Sequence, residues 1–194
     1  MNLTLDTIAF PAGTILLAST DNAVCALDYF GYEERMRRLL SAAFDDVRLT
    51  PGQSRFRGAI EQYLAGKLDA IDTVPVDARG TRFQLRVWKA LREIPHGETW
   101  TYQQLARRID HPKAARAVGL ANSQNPVAII QPCHRVIGAS GRLVGYAGGL
   151  EAKRWLLRHE GALKESTGSG QRQNRIRTGS LGSVQHTQDL LFGN

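Results

Sequence analysis

The chain has 194 residues, enough for one ordinary domain or two small ones whose core needs no metal or disulfide staple. Apolar residues make up 42%, yet no uninterrupted run approaches the roughly 18 to 20 residues that span a bilayer. The start, MNLTLDTIAF, also lacks a basic segment followed by a long apolar one, which points to a cytoplasmic protein that does not engage a membrane. Lys and Arg number 25 against 18 Asp and Glu, and the net charge of +7 suits a polyanionic partner without identifying one.

In chain order, ILLASTDNAVCALDYF sets two β-like runs around Ser19, Thr20, Asp21 and Asn22 and predicts a hairpin, with Cys25 as a buried apolar residue. EERMRRLLSAAF and SRFRGAIEQYLAG carry apolar residues at helical spacing, with Ser54 as N-cap and Gly66 as stop. IDTVPVDARG reads as an extended connection and places a domain boundary near residue 80. FQLRVWKALREI then sets Phe83, Val87, Trp88, Leu91 and Ile94 on one stripe, ended by Pro95 and Gly97. Thr101 and Gln104 form a capping box that opens a helix of about three turns. The Asp110-His111-Pro112 turn interrupts it, and KAARAVGLANS forms a second helix; the pair outlines either a helix-turn-helix or a plain helical hairpin. VAIIQ reads as a short extended run, GASGRLVGYAGG as a loop and LEAKRWLLRHEG as a last amphipathic helix ending at Gly161. The fold class expected is α/β (α+β): an N-terminal α/β domain over 1–79, a mostly helical C-terminal domain over 80–162 and a disordered tail over 163–194.

Two cysteines, Cys25 and Cys133, fit neither a disulfide framework nor a CxxC metal knuckle. Cys133 stands between Pro132 and the pair His134-Arg135, and two cationic neighbours in sequence are expected to lower a thiol pKa and favour a nucleophile. Residues adjacent in sequence do not face each other, so a water relay between His134 and Cys133 is the expectation. Glu160 lies in the last turn of its helix, where the macrodipole disfavours an anion, so its expected task is to orient and polarise His134. Each residue also has a bland reading: a buried inert thiol, a solvated glutamate.

The segment PCHRV at 132–136 resembles the active-site signature of the O6-alkylguanine-DNA alkyltransferases, also called methylated-DNA–protein-cysteine methyltransferases. The resemblance runs in order through FQLRVWKALREIPHGETWTYQQLA, PKAARAVG, NPVAIIQPCHRVIG, GYAGG and KRWLLRHEG, about residues 75 to 161. It implies a ribonuclease-H-like N-terminal domain and a C-terminal domain with a helix-turn-helix. It also implies that Cys133 accepts the alkyl group, with His134 as its base through water and Glu160 holding the histidine. Asn125 matches the family's hinge residue, and Tyr102 the tyrosine that assists departure of guanine. Tyr146, Ala147 and Gly148 match the loop that closes over the extruded base, while the carbonyls of Cys133 and Val136 would receive its amino group. Arg116 matches the residue that fills the gap left in the duplex, on a small-sided helix with Ala114, Ala115, Ala117 and Gly119 suited to the narrow minor groove. Thr101 and Gln103 complete the expected DNA contacts.

By that resemblance the partner is duplex DNA containing O6-alkylguanine, the base is flipped, each molecule reacts once, and no cofactor is required. A monomer is expected, with cooperative binding on DNA left open. Some family members hold a structural zinc through N-terminal Cys and His. Here Cys25 is the only N-terminal cysteine and no histidine precedes residue 90, so no metal is expected. Three other readings stay open: a non-catalytic sensor of alkylated bases, a sequence-reading DNA-binding regulator, and a cysteine hydrolase using Cys133 and His134.

Overall fold

The computed structural model describes residues 1–163, so the tail expected from residue 163 lies, beyond its first residue, outside the described residues. The chain opens with a strand that adds to the elements expected from sequence: β1 (Asn2–Phe10) buries Leu3, Leu5, Ile8 and Phe10. β2 (Gly13–Ser19) and β3 (Val24–Tyr29) form the expected hairpin, its turn closed by Thr20 N donating to Ala23 O at 3.0 Å. Helix α1 (Glu33–Ala43) lays Met36 and Leu40 against Leu3, Leu5, Leu16 and Cys25, so Cys25 is core. A short strand β4 (Arg48–Pro51) then pairs parallel to β1 and completes a sheet of order β3-β2-β1-β4.

Helix α2 (Arg57–Leu64) stops where expected, at Gly66, whose φ of +103° needs glycine. Ser54 is not its N-cap. That hydroxyl is buried against Ser19 Oγ at 2.7 Å and accepts from Phe56 N, one residue short of the helix. Helix α3 (Arg82–Leu91) starts on a capping box between Thr81 and Gln84 and buries Val87, Trp88 and Leu91. A two-residue strand β5 (Trp100–Thr101) leads into α4 (Tyr102–Arg108), capped by Thr101 and Gln104 as expected but only two turns long. Asp110, at φ +62°, turns the chain into α5 (Ala115–Ser123).

The segment 127–131 departs from the extended run expected. Val127 makes one parallel bridge with Leu27, after which the backbone folds into turns. Ile130 N donates to Ala128 O at 2.8 Å around Ile129, whose φ is +68° although its side chain is β-branched and fully buried. This tight left-handed turn costs on the order of 1–3 kcal/mol. Burial of four successive apolar side chains in the core holds it, which is why the apolar composition alone misleads.

After it come β6 (Val136–Ile137), parallel to β5, and the last helix α6 (Gly149–His159), which Gly161 ends at φ +79°. The described residues are thus a mixed α/β structure with six α-helices, a four-stranded sheet and a two-stranded one, none of the helices long and apolar enough to cross a membrane. One hydrophobic cluster joins Ile8, Leu17 and Leu27 of the sheet to Val87, Leu105, Val136 and Leu156 of the helical half. Trp88 ties α3 to α5 by donating its indole N–H to Ala121 O at 2.8 Å. Replacing it, Trp88→Ala, should cost about 3–5 kcal/mol in denaturant unfolding; a loss below about 1 kcal/mol would show that this contact does not hold the helices together.

Candidate active site

Cys133 begins a single 3-10 turn (Cys133–Arg135) just after Pro132, whose φ of −77° and ψ of 65° close an inverse γ-turn, Cys133 N donating to Gln131 O at 2.7 Å. The turn faces the thiol into a cavity of about 390 Å³ walled in part by Arg35, Tyr102, Gly119, Asn122 and Tyr146. A larger cavity, about 530 Å³ between α1 and α3, holds none of the expected site residues. Burial pushes the Cys133 thiol above its ordinary value, against smaller lowering effects from Asn125, Lys153 and Arg35. This corrects the expectation that His134 and Arg135 lower it. Both side chains bond to Glu160, and the cations that favour the thiolate are Lys153 and Arg35.

His134 is fully buried and faces Glu160, with Nε2 2.9 Å from Oε1. Burial pulls its pKa below the ordinary value, ahead of the opposing pull of Glu160, so the ring is neutral at physiological pH. A neutral ring that donates Nε2–H to a carboxylate carries its lone pair on Nδ1, the posture of a base. Nδ1 has no hydrogen-bond partner among the protein atoms.

Glu160 caps the C-terminus of α6 and collects further donors: Tyr63 O–H at 2.7 Å and Arg135 Nη2 at 2.8 Å on Oε1, and Arg135 Nε at 2.8 Å on Oε2. Burial opposes its ionisation, but contact with His134 and the Arg135 guanidinium overcomes that and holds the carboxyl well below the usual range. With His134 neutral, Arg135 supplies the standing charge. Its other amino group reaches Ile94 O at 2.5 Å, and Nη2 also faces His96 Nδ1 at 2.7 Å.

Of the remaining expected residues, Asn125 is buried and braces the segment leading to Cys133, with Nδ2 donating to Gln131 O at 2.8 Å and Oδ1 accepting from Val127 N at 3.0 Å. Tyr102 and Tyr146, with Ala147, line the Cys133 cavity, and Gly148 follows on the same loop. Burial raises the Tyr102 phenol above its ordinary value, so it stays protonated and able to donate. The carbonyl of Val136 accepts Lys153 Nζ at 2.6 Å and that of Cys133 accepts Val136 N, which leaves each one lone pair. On α5, Arg116 and Ala117 are exposed, while Ala114, Ala115 and Gly119 are half-buried. Thr101 caps α4, and Gln103 Nε2 is held by Pro112 O at 2.6 Å.

Residues 82–162 match the family model described as 6-O-methylguanine DNA methyltransferase, DNA binding domain. A Methanosarcina acetivorans protein named methylated-DNA–protein-cysteine methyltransferase is 58% identical over 152 residues, covering 78% of this chain and 94% of its own. A Shigella flexneri protein of the same name is 43% identical over 170 residues, covering 84% of this chain and 98% of its own. The chain belongs to the methylated-DNA–protein-cysteine methyltransferase family. Among solved structures, Mycobacterium tuberculosis OGT in complex with DNA aligns over 82% of this chain and 93% of that one, at 43% identity and a TM-score of 0.66.

Several residues of this methyltransferase-family site escape a reading by motif. Tyr63 and Arg35 lie in the N-terminal half, in helices that read as ordinary amphipathic elements. Arg35 pairs with buried Asp28 and donates to the carbonyls of Ser123 and Asn125 at 2.7 and 3.0 Å. Lys153 did carry a signal: with Leu156, Leu157 and Glu160 it puts a cation on the apolar stripe of α6. It is fully buried, donates to Val136 O and Val144 O, and burial brings its pKa down to about 8.

A carboxylate whose folded pKa is depressed contributes stability above its unfolded value near 4.3, lost as pH falls through the folded one; a buried neutral histidine contributes above about 6.5. Unfolding free energy should therefore decline as pH drops below about 6.5 and fall further below about 4.3. Glu160→Gln leaves Arg135 unpaired and should cost about 3–5 kcal/mol at pH 7 while flattening the slope below 4.3. An unchanged acid slope would remove Glu160 from this role.

Proposed function

We propose that this protein repairs duplex DNA by taking the alkyl group of O6-alkylguanine onto Cys133, irreversibly and once per molecule. The observation that carries the reading is the buried thiol in a base-sized cavity, followed in the chain by a neutral histidine whose Nε2 is fixed by Glu160. The names of the relatives above agree with it, and one of them was solved on DNA. A non-catalytic sensor has no use for the acceptor.

In the reaction, the Cys133 proton passes to His134 Nδ1 through a bridging water, and the imidazolium is stabilised by Glu160. The thiolate attacks the alkyl carbon, the C–O6 bond breaks, and its electron pair enters the guanine ring. Tyr102 O–H supplies a proton or hydrogen bond to a ring nitrogen, and His134 later returns its proton. The product thioether is stable, so the chemistry needs no cofactor. Val136 and Cys133 offer their remaining carbonyl lone pairs to the guanine amino group, and the Tyr146-Ala147-Gly148 loop covers the base.

The base reaches this cavity only if it leaves the stack, at a cost of a few kcal/mol that is smaller where alkylation has weakened pairing. In this reading α4, the Asp110 turn and α5 act as a helix-turn-helix that docks in the minor groove, with Arg116 entering the duplex and Ala114, Ala115, Ala117 and Gly119 permitting close approach. Thr101 and Gln103 lie at the edge of that surface. Asn125 is the hinge that ties α5 to the Cys133 turn. Residues 1–79, with three antiparallel strands, one parallel strand and α1, form the ribonuclease-H-like domain, and 80–162 the catalytic one. The protein works in the cytoplasm as a monomer.

The test is a duplex carrying one isotopically labelled O6-methylguanine, mixed with excess protein and followed by mass spectrometry of peptides. Label should appear on Cys133 at no more than one per molecule, and Cys133→Ala should bind without accepting it; label retained on the DNA by folded wild-type protein sinks the reading. In single-turnover kinetics, His134→Gln should lose about 10²–10⁴ in rate. Because the folded pKa of His134 is depressed, the wild-type rate should hold as pH falls through 6.5 and decline only below it, a limb absent in His134→Gln. A wild-type decline centred above pH 7 would assign the titration to another group.

A further inference from the structure

The loop that walls the Cys133 cavity is held from outside the matched family region. Tyr29 ends β3, well before residue 82 where that match begins, and is 4% exposed. Its hydroxyl lies 2.6 Å from that of Tyr146, and the two rings meet edge-on with centroids 5.6 Å apart. Two residues on, Gly148 presses its backbone on the same ring: a Cβ there would come within 2.5–2.8 Å of Tyr29 ring atoms. Phe10 backs Tyr29 at 5.9 Å between centroids, and Trp155 of α6 backs Phe10 at 5.3 Å, so the ring has no room to retreat. On its other side Tyr146 meets the His134 ring edge-on at 6.4 Å. The loop is therefore gripped at two points by one side chain of the sheet, beside the group that handles the Cys133 proton.

Resting on the proposed alkyl transfer, we infer that Tyr29 is a positioning residue for it: through Tyr146 and Gly148 it sets where the loop stands over the cavity, and hence how large an alkyl group the cavity accepts. Burial pushes both hydroxyls well above the ordinary tyrosine value, so the pair is neutral throughout the physiological range and one O–H always donates to the other oxygen. Removing one hydroxyl strands its partner, whereas removing both strands none, which makes the pair separable from simple packing.

Wild type, Tyr29→Phe and the double variant Tyr29→Phe with Tyr146→Phe would be compared in single turnovers on duplexes carrying O6-methylguanine or O6-benzylguanine, with total label accepted measuring the active fraction. Tyr29→Phe keeps the ring, so protein should fold. Its methyl-transfer rate per active molecule should drop about fivefold, the size expected for one stranded buried hydroxyl. Its affinity for the duplex should not change, because Tyr29 is buried, and its rate on the benzyl substrate relative to methyl should rise. The double variant should recover toward wild type in rate. A Tyr29→Phe protein with wild-type rate and wild-type benzyl-to-methyl ratio overturns the inference, as does a slowing accounted for entirely by a smaller active fraction. Wild type that accepts no label overturns the alkyl-transfer reading instead.

Discussion

A buried carboxylate is the interaction on which the rest of the site depends. Glu160 sits at the C-terminus of α6, where both desolvation and the helix dipole oppose a negative charge. It stays ionised because the Arg135 guanidinium approaches both oxygens and because Tyr63 and His134 each donate to Oε1. The donors arrive on two distant pieces of chain: Tyr63 on α2, and His134 and Arg135 on the turn that begins with Cys133. The carboxylate therefore selects the His134 tautomer, fixes the turn that begins with Cys133, and binds both to the N-terminal half. Truncating any one partner leaves a charge or a strong acceptor stranded in the core, the costly way to break such a cluster.

The N-terminal half is thus part of the site, although none of its residues has the look of chemistry. It contributes three polar side chains to the catalytic surroundings. Tyr63 completes the Glu160 cluster; Arg35 reaches the carbonyls at the C-terminal end of α5 and of Asn125; Tyr29 grips the loop at Tyr146. Arg35 is placed by physics twice over. Its guanidinium satisfies carbonyls that a helix end leaves without intrahelical partners, and buried Asp28 neutralises it, burial raising that carboxyl and Arg35 opposing the rise. The edge of the sheet does the same with backbone, since β3 exchanges hydrogen bonds with Pro126 and Ala128 on the approach to Cys133.

What the sequence made legible was local. The capping box at Thr101, the glycine stops at 66 and 161, and the stripe through Val87, Trp88 and Leu91 are decided within a few residues, and they stand as expected; the same local signal at Thr81 and Gln84 went unread. The pairing of His134 with Glu160 was legible too, because a motif and the end of a helix carried the two residues. What failed depended on tertiary surroundings. Ser54 is not the N-cap because its buried hydroxyl serves Ser19 and Phe56 N, ahead of the helix; Val127–Ile130 bends because the core accepts its side chains better than a strand would. The thiol pKa departs from expectation for a related reason: burial of the sulfur dominates, and His134 and Arg135 spend their bonds on Glu160. Tyr63, Arg35 and Tyr29 gave no local signal, since a buried tyrosine or a helical arginine is ordinary until its partner 90 or more residues away is known.

The raised thiol pKa becomes intelligible once the protein is taken to react only once. A standing thiolate would be open to oxidation and to stray electrophiles, and for a single-use acceptor each such event removes a molecule from service. Burial keeps Cys133 in the thiol form, and a neutral His134 with its lone pair on Nδ1 keeps the base ready without keeping the proton. Lys153 and Arg35 lower the cost of the thiolate without making it the resting state, and the buried Glu160 carboxylate is already ionised to receive the imidazolium. In the proposed reaction, reactivity is then set by the entry of a base that brings an electrophilic carbon in line with the sulfur, so that proton transfer and attack occur together in a cavity already ordered for both. Specificity and self-protection follow from the same burial.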